Sequence, residues 1–372
     1  MRVLVVNAGS SSTKLRVVDE DDQIGASADL GPPGEGLADQ LRDFVADAGA
    51  LDAAGHRVVH GGNLFTEAVI VDDAVRHHLD ALSPLAPLHN PPALAAIDAL
   101  RQQRPGLPTV VCFDTAFHAD LPAEVTRIAL PSEWMTRSGI RRYGFHGLSC
   151  AWATARAAEL LGWPPMRHRL IVCHLGAGAS VTAVVDGRSA DTTMGFTPLE
   201  GLVMATRPGD VDPGAISRLL HHEISLDELD HALEHRSGLA ALSGEASGDM
   251  RALLKRRSNG DGHAGTAIGV YLHRLRAKIA AMAAATEGLD VLVFTGGVGE
   301  NSSVIRTEAC AGLGWLGVDL DGHANACAAD DAVISSPAAS VPTVVVHARE
   351  ELVIAAACRH LLAKPTVTPS PS

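Results

Sequence analysis

Three short runs of small and polar residues each follow an apolar stretch: Asn7 to Lys14 in VLVVNAGSSSTK, His174 to Ser180 in LIVCHLGAGAS, and Thr295 to Asn301 in VLVFTGGVGEN. Small side chains let backbone N–H groups close on a ligand, and a concave cluster of such groups holds phosphate. A helix N-terminus beside the turn adds a favourable dipole. One such turn is also an ordinary hairpin; three in one chain, the first entered by Lys14, favour phosphate. Neither G-x-x-x-x-G-K-[ST] nor a G-x-G-x-x-G after the first strand occurs, which argues against a P-loop and against a dinucleotide fingerprint.

Two arginines sit in informative settings. Arg57 lies in HRVVHGG among apolar residues, and Arg207 in MATRPGDVDPG among turn formers. The planar guanidinium fork suits phosphate or carboxylate, and an internal ion pair with a nearby Asp is the competing reading. Of the histidines, His89 in PLHNPP, His118 in DTAFH and His146 in YGFHG abut Gly, Pro or Phe, where structural and chemical roles both fit. His77, His78, His221, His222, His231 and His235 read as solvated helix faces. No H-E-x-x-H supports zinc hydrolysis and no G-x-S-x-G a serine hydrolase.

The 372 residues exceed one ordinary core and predict two domains. A net charge of −13 disfavours nucleic acid and anionic membranes as partners, so an anionic ligand must be met by a few local cations. The cysteines, 112, 150, 173, 310, 327 and 358, form no C-x-x-C and read as reduced thiols of a cytoplasmic protein. The apolar stretch after Arg2 is too short for a signal peptide, and Ala267 to Ala285 is cut by His273, Arg274, Arg276 and Lys278, so no membrane span is predicted.

The elements that must position these residues interleave. Strands are predicted at 2–7 and 14–19, near 56–65, at 107–118 and 169–188, from 289 and from 343; helices at 37–49 and 93–104, after 301, with Asn301 or Ser302 as N-cap, and at the C-terminus. The class is α/β. The opening unit and 169–188 share one layout, apolar run, small-residue turn, apolar run, Asp, which suggests duplicated domains.

Taken together, NAGSSSTKL, HRVVHGG, PLAPLHNPP, FDTAFH, YGFHG, CHLGAGAS, DTTMGFTPLEGLVMATRPGDVDPG, GDMR, FTGGVGENS and EELVIA resemble the acetokinase family of the sugar kinase–Hsp70–actin fold group, over nearly the whole chain. The resemblance implies two duplicated actin-like (ribonuclease H-like) domains around a central cleft. Domain I would be 1–115 plus 352–366, domain II 116–351, and 367–372 a disordered tail. It also implies reversible phosphoryl transfer from ATP to acetate, giving acetyl phosphate and ADP, with Mg²⁺ (or Mn²⁺) and a homodimeric enzyme.

Residue by residue, the family pattern implies Asn7 and Glu350 as metal residues. Ser10, Ser12 and Lys14 would form a first phosphate loop, and His174, Leu175, Gly176, Ala177 and Gly178 a second. Asp249, Met250 and Arg251 with Gly297, Val298, Gly299, Glu300 and Asn301 would bind the nucleotide. Arg57 would hold the acetate carboxylate with support from His89; His146 and Arg207 would donate to the transferring phosphoryl group. Asp114 would orient arginine, water or metal, since a carboxylate substrate is already ionised at neutral pH and needs no base. Val59, Leu88, Phe145 and Pro198 would line a small acyl pocket. One residue departs from the pattern: the second loop usually reads His-Leu-Gly-Asn-Gly, and here Ala177 replaces the amide, which bears on donor choice. Residues 20–55 also look shorter than in many relatives. The competing functions are a propionate or butyrate kinase, which one methylene hardly separates from an acetate enzyme, and a non-catalytic ATP-dependent switch of the Hsp70–actin kind.

Overall fold

The computed structural model describes residues 1–8, 12–31, 34, 36–164, 168–244 and 246–363. The chain forms two compact units, Met1–Ala119 joined by the C-terminal part from Arg349, and Asp120–Ala348. The sequence expectation drew these boundaries at 115/116 and 351/352. Glu350, expected in the second domain, belongs to the first because it opens the helix Glu350–Ala363.

In the first unit, β1 (Val3–Ala8), β2 (Thr13–Val18), β3 (Ile24–Leu30), β4 (Ala53–Val58), β5 (Val69–Ile70) and β6 (Thr109–Phe113) form a sheet in the order 3-2-1-4-6-5. β1 pairs antiparallel with β2 and parallel with β4, which pairs parallel with β6. β1 and β4 are covered on both faces; β1 is accordingly almost unbroken apolar residues, and β4 is apolar and small except for His56 and Arg57. One face packs against the helices Leu37–Asp47 and Asn90–Gln103, where Leu4, Val6, Leu15 and Val17 meet Leu37, Leu41, Val45 and Leu100. The other face carries the helix Glu350–Ala363. Its approach is close: a Cβ on Gly55 of β4 would stand 2.8 Å from Cys358 Sγ and closer still to Ile354, so a side chain there would push the helix off the sheet.

The second unit repeats this plan. β7 (Arg169–Leu175), β8 (Ala179–Val185), β9 (Arg188–Thr192), β10 (Val291–Thr295), β11 (Ala332–Val333) and β12 (Thr343–Val345) stand in the order 9-8-7-10-12-11. Each strand matches its counterpart in position and direction: β7 with β8 antiparallel, β7 with β10 and β10 with β12 parallel, β11 with β12 antiparallel. This supports the duplicated α/β plan expected from the sequence. The helix Gly262–Ala285 covers one face and Gly147–Leu160 packs on β7 and β10. Among the described residues no helix is long and apolar enough to cross a membrane.

Several local expectations shift. The strand expected to run into the Gly61–Gly62 turn within 56–65 starts earlier, as Ala53–Val58, since Ala53 and Ala54 already pair with β1. GGVGEN, expected as a turn, is a short helix, Gly296–Asn301, whose first N–H is held by Glu300 Oε1 at 2.8 Å. Ser302, not Asn301, caps the following helix by accepting from Ile305 N–H at 3.3 Å. Ser10 and the expected tail 367–372 lie outside the described residues.

Candidate active site

In the first unit, the C-terminal ends of parallel β1 and β4 put polar residues where the core ends, the usual place for a ligand in such sheets. The register Val6 opposite His56 brings Asn7 beside Arg57, while Lys14 faces Asn7 from β2. Asp114 follows β6 and grips Arg57 with both oxygens: Arg57 Nε donates to Oδ1 at 2.8 Å and Nη2 to Oδ2 at 2.5 Å. Arg57 Nη1 donates to Asn7 Oδ1 at 3.1 Å, and Asn7 Nδ2 donates to Glu350 Oε2 at 2.7 Å. The ion pair weighed against a ligand role is therefore present at Arg57. It does not exhaust the side chain: among the described residues three of its five donors are committed, leaving one on each Nη nitrogen.

The electrostatics of this cluster are set by burial. The Asp114 side chain is 1% exposed and Arg57 14%. Burial opposes the Arg57 charge, but Asp114 and Glu350 outweigh it and hold the guanidinium protonated. Burial likewise pushes the Asp114 carboxyl above its usual range while Arg57 pulls it back. Two carboxylates against one guanidinium, with an amide oxygen beside them, make a hard-oxygen set with a net negative balance, which suits a hydrated Mg²⁺. Another group of metal-ligand composition, Asp330, Asp331 and His347, is knit internally: Asp331 accepts from Arg156 Nε at 2.7 Å and from the His347 N–H at 2.8 Å.

Behind Arg57, fully buried Asn90 donates to His60 O at 3.1 Å and accepts from His60 N–H at 3.2 Å, as a neighbouring strand would. Thr115, next to Asp114, accepts from Gly61 N–H at 3.1 Å. These bonds fix the chain on either side of Val59, which is buried; Leu88 is exposed, and half-buried His89 stands at the start of the helix Asn90–Gln103. Buried His118, singled out from the sequence, stacks edge-on with Phe117.

In the second unit, residues far apart in sequence gather around the β7–β8 turn. His146 precedes the helix Gly147–Leu160 with φ 59°, a left-handed conformation costing a non-glycine residue about 1–2 kcal/mol. Its ring stacks on His174 at 4.2 Å between centroids. Each Nδ1 meets a fully buried hydroxyl, His146 with Ser180 Oγ at 3.0 Å and His174 with Ser149 Oγ at 2.8 Å. The other edge of His146 faces the turn: a Cβ on Gly178 would stand 3.3 Å from His146 Nε2 and 3.8 Å from Arg207 Nη1. Only glycine leaves that space for a ligand.

Arg207 also has an acidic partner. Its Nε donates to Glu234 Oε2 at 3.0 Å, and among the described residues its guanidinium makes no other hydrogen bond. Four of its five donors are thus uncommitted on a side chain 16% exposed. Phe145 is fully buried and Pro198 half-buried.

A cavity of about 670 Å³ opens beside the same turn, lined by Gly176, Ala177, Asp249, Met250, Arg251, Gly297, Val298 and Asn301 among others. Asp249, Met250, Arg251, Gly297, Val298 and Asn301 are six of the eight residues expected to bind the nucleotide, and Gly176 and Ala177 belong to the expected second phosphate loop. Gly299 and Leu175 are buried and do not line the cavity. Glu300 is occupied otherwise, its Oε1 accepting from Gly296 and Ala348 N–H at 2.8 and 2.9 Å. Asp249 caps the helix Met250–Ser258 by accepting from Ala252 N–H at 2.9 Å, a bond that holds its carboxyl below the usual range.

Sequence reasoning missed Ser149, Ser180, Glu234 and Asn90, whose partners lie 25 to 34 residues away. Arg306 was also missed: it is buried, donates to Gly299 O and Glu300 O at 2.8 and 2.6 Å, and so braces the end of the Gly296–Asn301 helix.

Residues 35–356 match the acetokinase family. The acetate kinase of Synechococcus sp. (strain JA-2-3B'a(2-13)) is 45% identical over 338 residues, 91% of this chain and 83% of that protein. That of Clavibacter michiganensis is 44% identical over 386 residues, covering 95% and 97%. Among solved structures, an acetate kinase from Porphyromonas gingivalis superposes with a TM-score of 0.89 at 35% identity, covering 97% of this chain and 99% of its own. A propionate kinase from Francisella tularensis gives 0.88 at 34%, covering 96% and 98%.

Proposed function

The chain belongs to the acetokinase family, and on that premise we propose that it transfers the γ-phosphoryl group of ATP to acetate, reversibly and by direct in-line displacement. A carboxylate oxygen bonds to the γ-phosphorus as the bond to the β,γ-bridging oxygen breaks, and the electron pair leaves with ADP. No proton has to move, because acetate is already ionised. Catalysis is then positioning and charge stabilisation.

The observation that carries this reading is the contrast between two arginines. Arg57 is locked by Asp114 and Asn7 and keeps two donors, enough for one carboxylate. Arg207 keeps four, beside a glycine turn and a cavity of nucleotide size, which suits phosphoryl oxygens. His146 adds a donor on the same turn. Asp114 orients Arg57; with both oxygens engaged it is poorly placed to accept a proton. Mg²⁺, or Mn²⁺ in its place, would be held by Asn7 and Glu350 and would neutralise charge on the phosphate oxygens. Ser12 and Lys14 would add to that neutralisation, and His89 would support the acetate side.

The acyl side would be bounded by Val59, Leu88, Phe145 and Pro198. One methylene changes binding by only about 1–3 kcal/mol, so propionate is expected as a poorer substrate. A homodimer is supported by the helix Pro213–His222, which buries no residue although Ile216, Leu219 and Leu220 lie along it, next to exposed Val211 and Leu226. Six free thiols, five of them buried, support a cytoplasmic setting. A coupled assay offering ATP, GTP or pyrophosphate against acetate or propionate tests the assignment. ATP with acetate is expected to give the highest kcat/KM; turnover with none of the pairs would remove it.

A further inference from the structure

We propose that Glu234 is a positioning residue that aims Arg207 at the Gly176–Gly178 turn. This deepens the phosphoryl-transfer reading and rests on it. Glu234 is the penultimate residue of the helix Leu226–His235. A carboxylate in the last turn of a helix faces the negative end of the helix dipole, where a cation is preferred. Here the carboxylate stays because it is spent on the neighbouring loop: Oε2 accepts from Arg207 Nε at 3.0 Å, and the backbone carbonyl of Glu234 accepts from Thr206 Oγ at 2.8 Å. Two consecutive residues, 206 and 207, are thus tied to one residue of the helix end. Ser237 N–H donates back to Thr206 O at 2.9 Å, closing the link from the other side. The same loop reaches the phosphate turn, since Ala205 N–H donates to Ala177 O at 3.0 Å.

The choice of nitrogen matters. An end-on or two-nitrogen pair through Nη would consume the donors that face outward. Binding at Nε takes the one donor nearest the stem and leaves Nη1 and Nη2 to the ligand. The arrangement trades some positive charge for direction: a nearby carboxylate weakens the attraction of Arg207 for phosphate but fixes where its fork points. Two side chains, 16% and 23% exposed, are close enough to the interior for that direction to persist.

Position and charge are separated by three variants. Glu234→Gln keeps an acceptor for Nε without the charge, Glu234→Asp keeps the charge but draws it back by one methylene, and Glu234→Ala removes both. A positioning role is expected to leave Gln near wild type and to lower kcat for acetyl phosphate formation roughly 10–100-fold in Asp and Ala, with the acetate KM within about twofold. In an Arg207→Ala background, Glu234→Ala is expected to cost nothing further, because the residue acts through the arginine. If Asp matches wild type while Gln fails, or if the double variant loses the full product of both single losses, the inference falls. If Glu234→Ala turns over at the wild-type rate while Arg207→Ala is impaired, the inference falls and the functional reading stands. If Arg207→Ala itself is unimpaired, it is the functional reading that fails.

Discussion

Asp114 meets Arg57 in a two-pronged pair, Oδ1 to Nε at 2.8 Å and Oδ2 to Nη2 at 2.5 Å, with the carboxylate buried and the guanidinium nearly so. Removing one partner of such a pair leaves a charge inside the protein without its counterion, typically at a cost of about 3–5 kcal/mol. Asp114→Asn turns one accepting oxygen into an NH₂ group facing an N–H of Arg57. The expected result is a lower Tm and a kcat down by about 100-fold or more, with a raised acetate KM because the fork is no longer aligned. Thermal melts and steady-state kinetics on one preparation check both. An acid limb in the wild-type kcat profile that disappears in the Asn variant would instead mark Asp114 as a base.

The buried histidines of the first unit give the fold an acid limit. Burial lowers His56 to about 3 and His60 to about 4. Both are neutral when folded and take up a proton on unfolding below their ordinary value of about 6.5. Their contribution is therefore fully present above pH 6.5 and is lost as pH falls toward 4 and then 3, at about 1.4 kcal/mol per pH unit for each. Urea unfolding between pH 6.5 and 4.5 is expected to show that slope, and His56→Leu to reduce it by one histidine's share. An unchanged slope in the variant would contradict the assignment.

The serines behind the stacked histidines fix which ring nitrogen faces the Gly178 turn. Ser149→Ala and Ser180→Ala each remove the hydroxyl partner of one Nδ1. A fall in kcat of roughly tenfold is expected for each, with Tm little changed and with recovery in the Thr variants. Loss of Tm matching the loss of rate would make the serines structural only.

Ala177 lines the cavity beside the second phosphate turn. Ala177→Asn adds an amide there that can reach a phosphate or ribose oxygen, and the KM for ATP is expected to fall by about tenfold or less, the scale of one hydrogen bond. Saturation curves in ATP at fixed acetate measure it. An equal or higher KM would show that the cavity wall is already complete with alanine.

Much of this was legible beforehand, and what was not has physical reasons. β1, β7 and β10 are buried on both faces, so their apolar runs stand out in the sequence, whereas β4 carries His56 and Arg57 within six residues and starts earlier than expected. β3 alternates between exposed and half-buried residues, and the edge strands β5 and β11 have two residues each, too few to set a period. GGVGEN was expected as a turn from its glycines, yet the Glu300 carboxylate satisfies the first N–H and lets one helical turn form. Asn7, Arg57, His146 and Arg207 sit in distinctive local sequence. Glu234, Ser149 and Ser180 sit in ordinary helix and strand sequence, and only the folded chain brings them to their partners.

The central claim is that Arg57 takes the acetate carboxylate and Arg207 the transferring phosphoryl group. Trapping acetyl phosphate as its hydroxamate, with ATP, Mg²⁺ and acetate, measures it directly. The unaltered protein is expected to accumulate the hydroxamate, and Arg57→Ala and Arg207→Ala each to do so at least about 100-fold more slowly while still melting cooperatively. Wild-type rates in both variants would contradict it.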